Sequence, residues 1–315
     1  MYIYENYVID APERKRANFK IVPFLEADLT TNKKLSLSRP LLTEYFEHRF
    51  PNYRIVYTPR GRSGIIAALH ALDLQKNDEV TIFTTSGNLY ISSCVTNEIE
   101  KVCRWSREIT TNTKAILVNH EFGYCYENLE ELKHYNLPII EDFAHSFTAS
   151  NDENTQGTIG DFLLFSFSKF FPIQIGGVLL YKKHYSIKEE IHSNMKQYIQ
   201  NVVGSYIDSI EEINQKRLNN YLYLKTLFQT LGCTPYMPLK KGAIPAVFMF
   251  TLPRHIDLLL LKEYMNRQGV ESSIFYGSHA YFIPSHQNFK EEDLFYFYIL
   301  IKYFFENHAP KGTYE

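Results

Sequence analysis

Lys169 stands just beyond the apolar run Asp161-Phe162-Leu163-Leu164-Phe165 and ahead of the pair Gly176-Gly177. A lysine delivered from an interior strand loses part of its hydration, and a poorly hydrated ammonium gives up its proton more readily. The neutral amine that results can attack a carbonyl. Ser166 and Ser168 flank it with hydroxyls. Asp142 closes a second apolar run, Pro138-Ile139-Ile140, next to Glu141. His120 ends a third, and His145 follows Asp142 closely. Each has a plainer reading: a lysine that reaches out to water, a carboxylate that caps a helix, a histidine that orders a loop.

The elements that would carry these residues follow from periodicity. Arg54–Tyr57, Asp78–Phe83, Lys114–His120, Pro138–Asp142, Asp161–Ser168 and Gly177–Tyr181 read as strands. Helical patterns separate the early ones: Ile65 through Leu72, a helix through Val95 and Ile99, and Asn128 to His134. Strands alternating with helices indicate an α/β domain with a largely parallel sheet, whose ligands collect beyond the carboxyl ends of the strands. Asp142, His145, His120 and Lys169 all fall there. The turn Thr58-Pro59-Arg60-Gly61-Arg62-Ser63-Gly64, between a strand and a helix, suits an anion, or Ser63 simply caps the helix. No GKS or GKT follows, so it is not a Walker loop.

Later segments read as a helical stretch over Ile187–Leu231, a strand Pro245–Leu252, a helix Ile256–Gln268, a strand Ser272–Tyr276 and a helix Glu291–Asn307. This gives a large α/β domain over 1–235, with an N-terminal arm, and a small α+β domain over 236–315. Ser38-Arg39-Pro40 is expected to open a helix, since proline suits a first turn. A charged cluster at Glu13–Arg16 and a polar tail from Pro310 are the remaining marks at the two ends.

The 315 residues are 45% hydrophobic and 22% charged, which is ordinary for a globular chain with a sizeable core. The formal charge of −2 offers no electrostatic case for nucleic acid or an anionic membrane. No apolar stretch is long enough for a transmembrane helix, and the first residues do not read as a signal peptide. The four cysteines have no CxxC spacing and read as reduced thiols, with no metal site, in a cytoplasmic protein. The 24 Tyr and 23 Phe are expected to serve both core and interface, and this aromatic surplus permits dimerisation.

In chain order the pieces are Gly61-Arg62-Ser63, Ala71-Leu72, Asp78-Glu79-Val80, His120 with Gly123, and Glu141-Asp142-Phe143-Ala144-His145. Gly160-Asp161, Ser166-Phe167, Lys169 and Gly176-Gly177 complete them. This series resembles the DegT/DnrJ/StrS family of nucleotide-sugar aminotransferases, which have fold-type I and depend on pyridoxal 5'-phosphate. The resemblance covers Arg60 to Tyr181 and, more loosely, the C-terminal region. It implies that Lys169 holds the cofactor covalently and then moves protons, and that Asp142 accepts the pyridine N–H. It implies further that Gly61, Arg62, Ser63 and Ser166 hold the phosphate and that Tyr90 stacks on the ring. His145 stands where the family has glutamine, near the ring hydroxyl. Tyr276-Gly277 and His286-Gln287 correspond to segments of the C-terminal domain that face the site in relatives.

The activity implied is conversion of a keto-sugar nucleotide to an amino-sugar nucleotide, with glutamate as donor, in surface polysaccharide or secondary-metabolite biosynthesis. A cytoplasmic homodimer is implied as well. Two alternatives stand beside it. Some relatives are sugar dehydratases, in which histidine replaces the lysine. A catalytically idle relative with a binding or regulatory role is the other, because the family's Asn/Arg-rich loop after the Gly-Gly strand has no clear match and His145 departs from the pattern.

Overall fold

The computed structural model describes residues 17–151 and 156–308; the charged cluster at 13–16 and the tail from 310 lie outside the described residues. Two compact units divide the described residues, one of 23–212 with 240–244, the other of 17–22 with 213–239 and 245–308. The units are not separated by one cut near residue 235: residues 213–239 group with the stretch from 245, and residues 240–244 group with 23–212.

In the first unit the elements run α1 (Asp28–Asn32), α2 (Leu41–Arg49), β1 (Tyr53–Thr58), α3 (Ser63–Ala71), β2 (Glu79–Thr84), α4 (Ser93–Ile99) and β3 (Arg104–Ser106). They continue with β4 (Thr113–Asn119), β5 (Ile139–Asp142), β6 (Phe162–Ser166), β7 (Gly177–Lys182) and α5 (Ser193–Gly204). The segment expected as a helix over Asn128–His134 is a 3-10 helix, Glu130–Tyr135. Seven strands make one sheet, ordered β1-β7-β6-β5-β4-β2-β3. The pairs β2–β3, β2–β4, β4–β5 and β5–β6 are parallel, and β7 is antiparallel to both β6 and β1. The link from β6 to β7 is too short for a crossover, so those two strands can pair only in the antiparallel sense. The result is the mostly parallel α/β sheet that the alternation predicts. The short β3 escapes sequence reading because Arg104-Trp105-Ser106 carries no alternation.

Both faces of the sheet are covered, and strand parity decides which residue meets which layer. Ala115, Leu117, Ile140, Leu164 and Leu179 pack with Ile65, Leu69, Val95 and Ile99 of α3 and α4. Ile116, Val118 and Ile139 turn the other way, onto Leu129, Leu132 and Ile159. α2 opens directly after Pro40, as expected, and buries Leu42 and Phe46.

The second unit takes α6 (Ile210–Gln229) from residue 213 onward, then β8 (Thr234–Pro235), β9 (Val247–Thr251), α7 (Leu258–Arg267), β10 (Ser273–Phe275), β11 (Ala280–Pro284) and α8 (Glu291–His308). Its four strands form an antiparallel sheet in the order β10-β11-β9-β8. Asp257 caps α7 by accepting from Leu259 and Leu260 N–H at 2.8 and 3.1 Å. Phe228, Phe248, Leu261, Phe297 and Leu300 share the core. Among the described residues no helix is long and apolar enough to cross a membrane.

Candidate active site

Parity aims the chemistry. Ile140, Leu164 and Leu117 face α3 and α4, so residues two places further along the same strands, Asp142, Ser166 and Asn119, point to that side at the carboxyl ends. A cavity of about 510 Å³ lies there. Asp142, His145, Ser166, Lys169, Gly61 and Arg62 all line it.

Lys169 ends a single 3-10 turn, Phe167–Lys169, that springs straight from β6. Phe167, Phe170 and Phe171 anchor that turn in the interior; each is at most 3% exposed. Phe171 meets Phe147 edge to face at 4.9 Å, and Phe143 stacks on Phe165 at 5.0 Å. Phe170 and Phe171 N–H both donate to Phe167 O, at 3.0 and 2.8 Å. A turn pinned by three rings holds its lysine backbone in one place while the side chain, half-buried, reaches the cavity wall.

Asp142 is buried, 6% exposed. Its Oδ1 accepts from Ala144 N–H at 2.8 Å. Burial pushes its carboxyl above the usual carboxylate range, while the Ala144 N–H and nearby His120 pull the other way. A carboxylate so placed favours a cationic N–H as its partner. The backbone around it is tied on both sides: His120 N–H donates to Asp142 O at 3.0 Å and Phe143 N–H to Leu164 O at 2.8 Å.

The neighbour Glu141 faces the opposite side and serves structure. Its carboxylate, fully buried, accepts from Gly160 N–H at 2.7 Å, Gly157 N–H at 3.1 Å and His120 Nε2 at 3.1 Å. Tyr126 N–H donates to His120 Nδ1 at 3.0 Å, so the ring carries its proton on Nε2, toward Glu141. His120 therefore orders its loop.

The end of the cavity beside the β1–α3 turn is built from close backbone approach. A Cβ on Gly61 would lie 2.6 Å from Ser166 Cβ, and one on Gly177 would lie 2.7 Å from Gly61 Cα. Only glycine lets the β1–α3 turn, the end of β6 and the start of β7 meet there. Arg62 precedes α3 as its N-cap residue and makes no side-chain cap. Arg60, Ser168 and Gln174 join Arg62 and Ser166 along this part of the wall.

Two of the expected residues lie elsewhere. Ser63 is the first residue of α3, not its cap; its N–H donates to Arg60 O at 3.0 Å, and it lines a second cavity of about 520 Å³ with Tyr57, His70 and Lys188. Tyr90 is 46% exposed, in a loop after β2, and is not among the residues lining the first cavity. Its N–H donates to Asn88 Oδ1 at 3.1 Å. Asn119, Ser92 and Cys94, which no motif in the sequence marks, also line the first cavity. Asn119 shares a strand face with Ala115 and Leu117, whereas His120 is the loop-ordering histidine that its plainer reading expects. Among the described residues no group of three or more His, Cys, Asp or Glu could hold a metal ion.

Residues 101–182 match the family model of the DegT/DnrJ/EryC1/StrS aminotransferase family. The resemblance read from the motifs is thereby borne out. The chain is 27% identical over 223 residues to GDP-perosamine synthase of Escherichia coli O157:H7, a match covering 59% of this chain and 61% of that enzyme. The pyridoxal-phosphate form of a putative sugar aminotransferase from Streptococcus pneumoniae superposes with a TM-score of 0.72 at 14% identity, covering 94% of this chain and all of that one. A GDP-4-keto-6-deoxy-D-mannose-3-dehydratase from Escherichia coli, solved with bound hydrated pyridoxal phosphate, does so with a TM-score of 0.65 at 14% identity, covering 91% of this chain. At such identities the structural likeness establishes the fold.

Proposed function

From the match of residues 101–182 to the DegT/DnrJ/EryC1/StrS aminotransferases, we propose that this chain is a pyridoxal-phosphate-dependent aminotransferase. It converts a keto-sugar nucleotide to an amino-sugar nucleotide with glutamate as donor, for surface polysaccharide or a secondary metabolite, as a cytoplasmic homodimer. The observation that carries the proposal is the meeting of Lys169, Asp142, His145, Arg62, Ser166 and Gly61 around one cavity. The donor set suits the cofactor: an amine for its aldehyde, a buried carboxylate for its ring N–H, and a guanidinium, a hydroxyl and a glycine cradle for its phosphate.

When bound, the cofactor supplies an electron sink for the carbon that exchanges its amino group. Lys169 would hold it through Nζ and would serve as the general base and acid that takes and returns a proton. Asp142 keeps the ring nitrogen protonated by lowering the energy of its cationic form in a buried place. Arg62, Ser166 and the Gly61 backbone would hold the phosphate, and His145 would donate to the ring hydroxyl. Ser63, which lines the second cavity, and Tyr90, 46% exposed in the loop after β2, are left out of this reading.

Absorbance of the purified protein after incubation with pyridoxal phosphate tests the first half. A band that persists through gel filtration, and is lost in Lys169→Ala, is expected. A protein that takes up no cofactor overturns the proposal. Turnover with glutamate and a panel of keto-sugar nucleotides tests the second half, and product analysis separates an amino sugar from the deoxy sugar that a dehydratase would release. The likeness to a dehydratase keeps that reading alive; Lys169, where dehydratase relatives have histidine, favours transamination.

A further inference from the structure

Phe122 sits at φ 52°, ψ 28°. Three described non-glycine residues have positive φ, and the other two are Asp73 and Asn136, types that tolerate the left-handed region. A phenylalanine there stores strain, which persists only where the surroundings over-determine it. They do so here. Glu121 N–H donates to Thr85 Oγ1 at 3.1 Å, and Ser86 N–H to Glu121 Oε2 at 2.7 Å. Gly123 N–H donates to Ser146 Oγ at 3.0 Å, and Ser146 Oγ to His120 O at 2.7 Å. Thr85 Oγ1 donates to Tyr124 O at 2.8 Å, and Ile244 N–H to Gly123 O at 3.0 Å. All this backbone order surrounds a side chain that is only partly buried, so core packing is not its main return. The Phe122 ring lies 5.0 Å from the His145 imidazole, centroid to centroid, tilted by 47°. His145 in turn lines the cavity.

We propose that Phe122 is the positioning residue for His145: the strained turn brings its ring against the imidazole and holds the donor nitrogen toward the cavity. This rests on the aminotransferase reading only for what His145 then touches. A histidine in place of glutamine has one ring to orient and no amide to flip, so a flat aromatic neighbour suits it.

Two readouts test the proposal. The first needs no cofactor: the imidazole Cε1–H resonance of His145, identified by its loss in His145→Gln. In Phe122→Gly that resonance is expected to lose its ring-current shift and to broaden as the ring samples several rotamers. The urea midpoint should hold or rise, because glycine relieves the positive φ. The second is the dissociation constant for pyridoxal phosphate, expected to weaken about threefold to tenfold in Phe122→Gly. Phe122→Tyr should restore both signals. Phe122→Gly added to His145→Gln should cost no further affinity, the mark of two residues acting as one. An unchanged His145 resonance in Phe122→Gly overturns the proposal, and so does additivity in the double variant. If the wild-type protein binds no pyridoxal phosphate, the aminotransferase reading falls and the resonance alone decides the role of Phe122.

Discussion

Asp142→Asn should make the protein more stable without cofactor and worse at binding it. Asp142 is 6% exposed and its carboxylate accepts from one neighbouring backbone N–H, Ala144. Burying an ion costs several kcal/mol before its partners are counted, and an uncharged amide of the same shape avoids that cost while keeping an oxygen for Ala144. Against this stands the new buried NH2, a loss of about 1–3 kcal/mol if it finds no acceptor. The net gain should be about 1–2 kcal/mol at pH 7, or a rise of about 1.5–3 °C in melting temperature. The pH dependence has a fixed sign. Burial lifts the folded-state pKa above the ordinary 3.8, so the folded form keeps a proton that the unfolded chain has already released. Stability of the wild-type protein therefore falls as pH rises from 3.8 through the raised value, and the advantage of the variant opens over the same window and closes below it. With cofactor the order reverses. Losing a charge-assisted hydrogen bond worth about 1.5–3 kcal/mol weakens binding about tenfold to 150-fold. Thermal melts of both proteins from pH 3.5 to 8, with and without pyridoxal phosphate, read all of this. A variant less stable than wild type at pH 7 in the absence of cofactor would refute the reasoning, because the burial cost of the carboxylate would then be smaller than the cost of the new NH2.

Gly61→Ala places a Cβ 2.6 Å from Ser166 Cβ; it should cost about 1–3 kcal/mol in denaturant titration and weaken inorganic phosphate binding, whereas Ser63→Ala should leave phosphate binding unchanged. Glu141→Ala removes the acceptor for two glycine N–H groups and for His120 and should destabilise by about 3–5 kcal/mol, read as a lowered urea midpoint at constant slope. Cys94 is exposed on the cavity wall, while Cys103, Cys125 and Cys233 are buried, with burial pushing the thiols of Cys103 and Cys233 up to about 11 and about 12. Iodoacetamide should therefore label Cys94 first in the native protein, and saturating pyridoxal phosphate should slow that labelling at least several-fold, as mass spectrometry of tryptic peptides would show.

Much of this chain was legible from residue order. Apolar runs of strand length, broken by helical patterns, specify an α/β sheet because a strand buried on both faces has little room for polar residues. Reactive types just past those runs mark the carboxyl edge, so Lys169, Asp142 and Ser166 could be named from spacing and resemblance. Asn119 has no reactive group to mark it in the sequence, yet one place along a strand reverses the face, and of Asn119 and His120 only Asn119 reaches the cavity. The second unit drew its residues from separated stretches of chain, which no local pattern encodes because contact, not order, defines a compact unit.

The chemistry of the site belongs to the sequence, since the identities of an amine, a carboxylate and a guanidinium are covalent facts that folding does not alter. Their meeting belongs to the tertiary structure. Gly61 and Gly177 are two small residues far apart in the chain until three backbones converge and leave no space for a Cβ. Phe122 is an ordinary aromatic until a web of hydrogen bonds forces it to positive φ against His145. Those outcomes depend on long-range contacts whose energies enter only once the chain has closed on itself, and so no reading of neighbours in sequence contains them.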